Sequence, residues 1–167
     1  MTGWIGYTLS KTTRFFDAVN NGDPFPAKYD RRHDLSITAS YKLSEKWNLS
    51  SVFVYATGNA ITLPSERYII GDNVYTEYTS RNGFRMDAYH RLDIGATYTP
   101  KKKKKFQSSW NFSIYNVYSR KNPYFIYFAL ESPEDENGSI QDGNLTPKAY
   151  QVSIFPILPS ITWNFNF

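Results

Sequence analysis

Two histidines stand beside charged residues, and they are the strongest candidates for acid–base chemistry in the sequence. His33 precedes Asp34, and His90 precedes Arg91, with Asp93 three positions after the histidine. Imidazole can transfer protons near neutral pH, but catalysis also needs an oriented partner, and no GxSxG, HExxH or comparable motif accompanies either histidine. We therefore predict no enzyme activity and no catalytic residue, with structural roles for both histidines at strand ends.

One loop has oxygen donors at a spacing that loosely resembles a calcium site. Residues 135–142 have the sequence DENGSIQD. Gly138 is misplaced for an EF-hand, and no glutamate closes the loop as a bidentate ligand. The chain has no cysteine, which excludes disulfides, thiolate metal sites and thiol nucleophiles. The sequence predicts no metal and no cofactor, and a solvated loop explains this stretch better.

The basic run Lys101–Lys105 is the only feature that suggests a polyanionic partner. Basic runs attract nucleic acid, but this one follows Pro100 in a short turn between two alternating segments. A charge run in such a turn is usually solvated and can contact anionic lipid headgroups. We predict no nucleic-acid partner.

β-Strands would hold these residues, because alternation of apolar and polar residues is the dominant pattern. In 34–43, Leu, Ile, Ala, Tyr and Leu alternate with polar residues over the length of a tilted membrane-spanning strand. We predict about six strands, the fifth extending toward 124–128 and the last interrupted by irregular pairing at Pro156 and Pro159. The predicted strands cover 3–12, 34–43, 47–56, 91–98, 110–118 and 150–167.

Composition narrows the class of protein. Aromatic residues make up 18% of the chain, with 14 Tyr, 12 Phe and 4 Trp, and such rings suit β-surfaces and membrane interfaces. The mean hydropathy is −0.53, and no apolar run reaches the ~18 residues that a membrane helix needs. These values exclude a helical membrane protein but not a barrel, in which only alternate residues face lipid.

The connections between predicted strands alternate as long, short, long, short, long. Outer-membrane barrels have short periplasmic turns and long extracellular loops, whereas a soluble sandwich or lipocalin-like barrel has no reason to sort its loops by end. The sequence therefore predicts an all-β fold: an antiparallel, up-and-down portion of a transmembrane β-barrel.

Several stretches resemble one known family. They cover nearly the whole chain in order, and together they are far more specific than any one alone. They are Asn20-Asn21-Gly22, Phe25-Pro26-Ala27, Tyr29 to Asp34, Tyr55 to Ala60, Arg81 to Met86, Tyr89 to Asp93, Tyr115 to Tyr118, Lys121 to Tyr124 and Ser153 to Phe167. With these stretches the chain resembles the TonB-dependent receptors of the Bacteroidota outer membrane.

The resemblance implies that residues 1–167 form a single C-terminal segment of a large, plugged, 22-stranded barrel. The signal peptide, plug domain and TonB-contacting segment would lie upstream, since Met1-Thr2-Gly3-Trp4 has no signal-peptide character. Implied partners are outer-membrane lipid, the remainder of the barrel, the plug domain and the barrel assembly machinery, with a surface lipoprotein as a further candidate. TonB would contact only the missing part.

The implied function is uptake of a scarce solute across the bacterial outer membrane. Six strands cannot close a barrel of that width, so we do not expect the isolated chain to transport. The alternative is a soluble all-β ligand-binding module whose aromatic stripe forms a core.

Two sets of residues are candidates for function. Ligand-binding candidates facing the lumen are Asp34, Lys42, Arg91 and Asp93, and loop candidates are 14–29, 63–85 and 131–148. The closing strand resembles the signal read by the barrel assembly machinery, with aromatic residues at Trp163, Phe165 and Phe167, although Thr162 stands where that pattern usually has glycine.

Overall fold

In the computed structural model, the described residues are 1–70, 73–101, 106–131 and 146–166. Among them, the largest sheet has six strands, all paired antiparallel. These strands are β1 (Thr2–Leu9), β2 (His33–Lys42), β3 (Trp47–Ala56), β4 (Tyr89–Tyr98), β5 (Gln107–Tyr115) and β6 (Leu158–Asn166). The predicted all-β, antiparallel fold is confirmed.

The spatial order of the six strands is their order along the chain. Each strand therefore pairs with its sequence neighbours, as in an up-and-down meander. β1 and β6 lie at the two edges, and the described residues do not close into a barrel.

The connections are short at one end of the sheet and long at the other. At the β2–β3 turn, the amides of Leu43 and Ser44 donate to the Trp47 carbonyl at 3.0 and 3.1 Å, which confirms the short connection predicted between these two strands. In the β4–β5 turn, residues 102–105 of the lysine run lie outside the described residues.

The first long connection, between β1 and β2, spans residues 10–32; the second, between β3 and β4, spans 57–88; and the third, between β5 and β6, spans 116–157. These connections contain short elements of their own. These are the 3₁₀ turn Asn20–Gly22 and the pairs Thr13–Arg14 with Phe25–Pro26, Ala60–Ile61 with Phe84–Arg85, Pro64–Ile70 with Asn73–Tyr78, and Pro123–Glu131 with Thr146–Ser153.

The last two predicted strands need correction. The strand predicted over 150–167 is two strands, because the backbone turns at Phe155 (φ 57°) and Pro156 has no amide hydrogen to donate. Pro159 is tolerated within β6 because β6 is an edge strand. The fifth strand does not continue to 124–128 but ends at Tyr115, and Pro123–Glu131 instead pairs with Thr146–Ser153.

The register gives the sheet two chemically different faces, because opposed residues share a face and neighbours alternate. We call one the apolar face; its members are Gly3, Ile5, Tyr7, Leu9, His33, Leu35, Ile37, Ala39, Tyr41, Trp47, Leu49, Ser51, Phe53, Tyr55, His90, Leu92, Ile94, Ala96, Tyr98, Ser108, Trp110, Phe112, Ile114, Pro159, Ile161, Trp163 and Phe165. The polar face consists of the residues that alternate with them.

Buried residues lie mainly among the long connections rather than on the sheet faces. In the part of the chain that the structure describes, the buried apolar residues are Phe25, Ala27, Ala56, Ala60 and Met86, and the buried polar ones are Asp30, Asn116 and Asn122. The parts of the long connections that contain these residues are therefore packed and can position side chains.

Candidate functional site

The four predicted ligand-binding residues all lie on the polar face. Only two of them meet: Arg91 Nε lies 2.9 Å from Asp93 Oδ2. Lys42 stands at the short-turn end and pairs with Glu45, and Asp34 pairs with Arg31 at 3.6 Å. The four share a face without forming one site.

Arg91 is the centre of a cluster on β4 and β5. Its Nη1 donates to the hydroxyls of Tyr89 at 2.6 Å and Tyr115 at 3.0 Å. The guanidinium carbon lies 4.4 Å from the centroid of the Tyr115 ring, a distance typical of a cation–π contact. Alternation brings Tyr89, Arg91 and Asp93 to one face, and the β4–β5 register brings Tyr115 beside Asp93.

Asp93 joins this cluster to the third long connection. Its Oδ1 accepts the amide of Asn116 at 2.9 Å, and Asn116 is fully buried. The Asn116 amide group donates to the carbonyls of Arg120 at 2.9 Å and Phe155 at 3.2 Å. The arrangement fixes a charge pair and a loop, and it offers no nucleophile–base pair for catalysis.

A second cluster, the loop clasp, consists of Thr12, Asp30, Gly58 and Arg85. The Asp30 carboxylate accepts the Thr12 amide at 2.5 Å and pairs with Arg85 Nη2 at 2.7 Å. Arg85 Nη1 donates to the carbonyls of Gly58, at 2.9 Å, and of Asp30. The clasp therefore ties the first long connection to the second.

The sequence alone did not identify the loop clasp. Asp30 and Arg85 both occur in stretches that resemble the receptor family, but their separation of 55 residues gave no sign of contact. The sequence offered one indication of this contact: Asp30 and Arg85 have opposite charges, and each lies in a stretch that resembles the receptor family.

The loop clasp is expected to make stability depend on pH. The Thr12 amide, and after it Arg85, lower the pKa of Asp30, while burial opposes them. An acid with a lowered folded-state pKa stabilises the fold above its unfolded value, about pH 4, and this contribution is lost as pH falls through the folded value. Urea unfolding from pH 6 to pH 2.5 should show a smaller acid-induced loss in Asp30→Asn than in the parent chain. An equal loss in both would contradict a role for this carboxylate.

A cleft of about 830 Å³ lies between the first and second long connections. We call it the loop cleft; it is lined by Ala18, Val19, Asn20, Asn21, Asp23, Thr62, Tyr78, Thr79, Ser80 and Arg81. The predicted loop ranges 14–29 and 63–85 thus come together in one cavity of a size suited to small ligands. Most of the third range, including the calcium-like loop at 135–142, lies outside the described residues.

We found no match to this chain among models of known protein families, curated proteins or solved structures.

The described parts of the chain hold no group of three or more His, Cys, Asp or Glu side chains placed to bind a metal ion. Over the same residues, no helix has the length and apolar character needed to cross a membrane.

Both histidines lie at the long-loop end of the apolar face and pair with tyrosines. His33 Nδ1 is 2.8 Å from the Tyr7 hydroxyl, and His90 Nδ1 is 2.8 Å from the Tyr118 hydroxyl. Each is thus engaged at a strand end, where the sequence predicted it.

The aromatic residues of the closing strand lie on the apolar face of β6. The Trp163 and Trp110 rings stack with centroids 5.7 Å apart, and Phe165 packs on Trp163 at 4.7 Å. Phe167 lies outside the described residues. β6 is an edge strand, so its outer backbone groups are available to another strand.

Proposed function

We propose that this chain is a portion of the wall of an outer-membrane β-barrel of the TonB-dependent receptor type, which takes up a scarce solute. The apolar face is the observation that supports this most, because it exposes large side chains along all six strands. Ile5 is 72% exposed, Ile161 67% and Trp163 49%. A continuous apolar surface of this kind is typical of a membrane or protein interface. In the alternative, a soluble module, the side chains of the apolar face would have to be buried in a core.

Aromatic residues mark both ends of the apolar face. Trp47, Tyr98, Trp110 and Trp163 lie opposite one another at the short-turn end, and Tyr55 lies at the other end. Trp47 and Tyr55 are about 26 Å apart along β3 at ~3.3 Å per residue. Girdles of aromatic rings flank the lipid-facing band of outer-membrane barrels in this way.

Strand lengths agree with the same proposal. β2, β3 and β4 have 10 residues each, β5 and β6 have 9 and the edge strand β1 has 8, and tilted membrane-spanning strands need about 9–11. In the proposed receptor, the polar face with the Arg91–Asp93 pair would line the aqueous interior. β1 and β6 would pair with the remainder of the barrel, because open edges are costly in lipid.

The proposal predicts that, in a membrane, a charged residue is unfavourable on the apolar face and tolerated on the polar face. Ile37 on the apolar face and Thr38 on the polar face are neighbours near the middle of β2. Ile37→Lys should weaken partition into phospholipid vesicles by about 30-fold or more, because lysine in the lipid-facing mid-membrane costs roughly 2–4 kcal/mol. Vesicle flotation measures the partition, and Thr38→Lys is the matched control.

Two results would contradict membrane insertion. One is a parent chain that stays dissolved and folded in buffer without entering vesicles. The other is equal partition of the Ile37→Lys and Thr38→Lys variants.

A further inference from the structure

Two opposite charges line the loop cleft. Neither Asp23 nor Arg81 forms an ion pair with any side chain in the described ranges. We propose that the loop cleft binds a short peptide, whose amine faces Asp23 and whose carboxylate faces Arg81. This inference rests on the proposed function, since it gives the receptor's loops a ligand class.

One residue positions both charged residues. The Asn20 side-chain oxygen accepts the amide of Arg81 at 2.9 Å, and the Asn20 carbonyl accepts the amide of Asp23 at 3.0 Å. Their backbones are therefore fixed across two connections, while neither bond uses a charged group.

The backbone that holds these residues is unusual. Asn20, Asn21 and Gly22 all have positive φ values, 59°, 56° and 80°. Successive left-handed residues are uncommon, and asparagine and glycine are the types that tolerate them best. Such conformations persist where the surrounding structure holds them, and they concentrate at ligand sites. Here they turn the first connection so that Asn20 faces the second.

The rest of the lining suits a peptide better than a polyanion, a polycation or a neutral sugar. The Asn21 amide and Ser80 hydroxyl can bond to peptide groups, and Ala18, Val19 and the 62%-exposed Tyr78 offer apolar contact. A polyanion would be repelled by Asp23 and a polycation by Arg81. A neutral sugar would form no ion pair with either of these exposed charges.

Blocking the peptide ends tests this assignment on the parent chain. Trialanine, its N-acetylated form, its C-amidated form and the doubly blocked form would be titrated against the chain in detergent micelles by ligand-observed NMR. Each block should weaken binding measurably, by up to about fivefold, the upper limit for one exposed ion pair. Equal binding by all four forms would overturn the proposal.

Two variants test which charged residue of the loop cleft contacts each end of the peptide. Asp23→Asn should abolish the effect of acetylation and retain that of amidation, and Arg81→Gln should do the opposite. Asp87→Asn and Arg32→Gln carry the same changes at exposed residues outside the cleft lining and outside the candidate loop ranges, so they should keep the parent pattern. If acetylation and amidation weaken binding to both cleft variants as much as to the parent chain, the peptide binds elsewhere and the proposed site is contradicted.

Further ligands test the class. Free alanine that binds as tightly as trialanine, or a trisaccharide that displaces it, would overturn the peptide assignment. These results are distinguishable from a failure of the proposed function. If the chain enters vesicles but binds blocked and unblocked peptides equally, only the peptide assignment is contradicted. An end preference in a chain that does not enter vesicles removes only the receptor proposal.

Discussion

Arg91→Met is expected to lower the free energy of unfolding by about 3 kcal/mol. The Arg91 and Asp93 side chains are only 26% and 23% exposed, so removing the guanidinium leaves a largely desolvated carboxylate without its counter-ion. The loss should come mainly from Asp93, because the Tyr89 and Tyr115 hydroxyls are 3.3 Å apart and can bond to each other. Urea unfolding in detergent micelles, followed by tryptophan fluorescence, measures the change.

A double-mutant cycle separates the charge from the loss of packing. Asp93→Asn in the Arg91→Met background should recover much of the stability, since the amide has no charge and its oxygen can still accept the Asn116 amide hydrogen. Lys42→Met breaks the exposed Lys42–Glu45 pair and should change stability little. Failure of Asp93→Asn to recover stability, or an equal loss in Lys42→Met, would contradict an electrostatic role for Arg91.

The sheet could be predicted from the sequence because alternation defines both strand position and strand face. In 34–43, every second residue is apolar, and a shift of one residue would turn Leu35 and Ile37 to the other face. The same rule placed Arg91 and Asp93 on one face two residues apart, where they form an ion pair.

The pattern of alternation does not determine which charges meet. Asp34 and Lys42 share the polar face with Arg91, but each has an oppositely charged residue three positions away in sequence, Arg31 and Glu45 respectively. Asp34 and Lys42 form their ion pairs with these local partners and not with a charged residue across the sheet. The four residues therefore share a face, as the alternation predicted, but only Arg91 and Asp93 contact each other.

The arrangement of the long connections could not be predicted, because it depends on contacts between distant residues. Nothing in the alternation indicates that Pro123–Glu131 would pair with Thr146–Ser153 instead of extending β5. The loop cleft likewise needs Asn20 to meet the amide of Arg81, 61 residues later. Single-sequence patterns describe neighbours along the chain, whereas these contacts form only in the folded protein.

Gly58→Ala is expected to cost about 3 kcal/mol, at the upper end of overpacking effects. A β-carbon at Gly58 would enter the space of the Met86 carbonyl oxygen and lie 2.5 Å from that of Asp87. Both are backbone atoms, so relief requires the chain beside Arg85 to move. Because the Gly58 carbonyl accepts from Arg85, this movement should also loosen the loop clasp.

Gly6→Ala is the matched control, because its new β-carbon would meet only the Trp4 ring, at 2.9 Å, and that ring can turn away at the sheet edge. It should change stability by about 0.5 kcal/mol or less. Gly58→Ala should therefore show both a lower free energy of unfolding and a smaller acid-induced loss from Asp30, measured by urea unfolding at pH 6 and pH 3. Lower stability with an unchanged acid response would mean that Gly58 supports Met86 packing and not the Asp30–Arg85 pair.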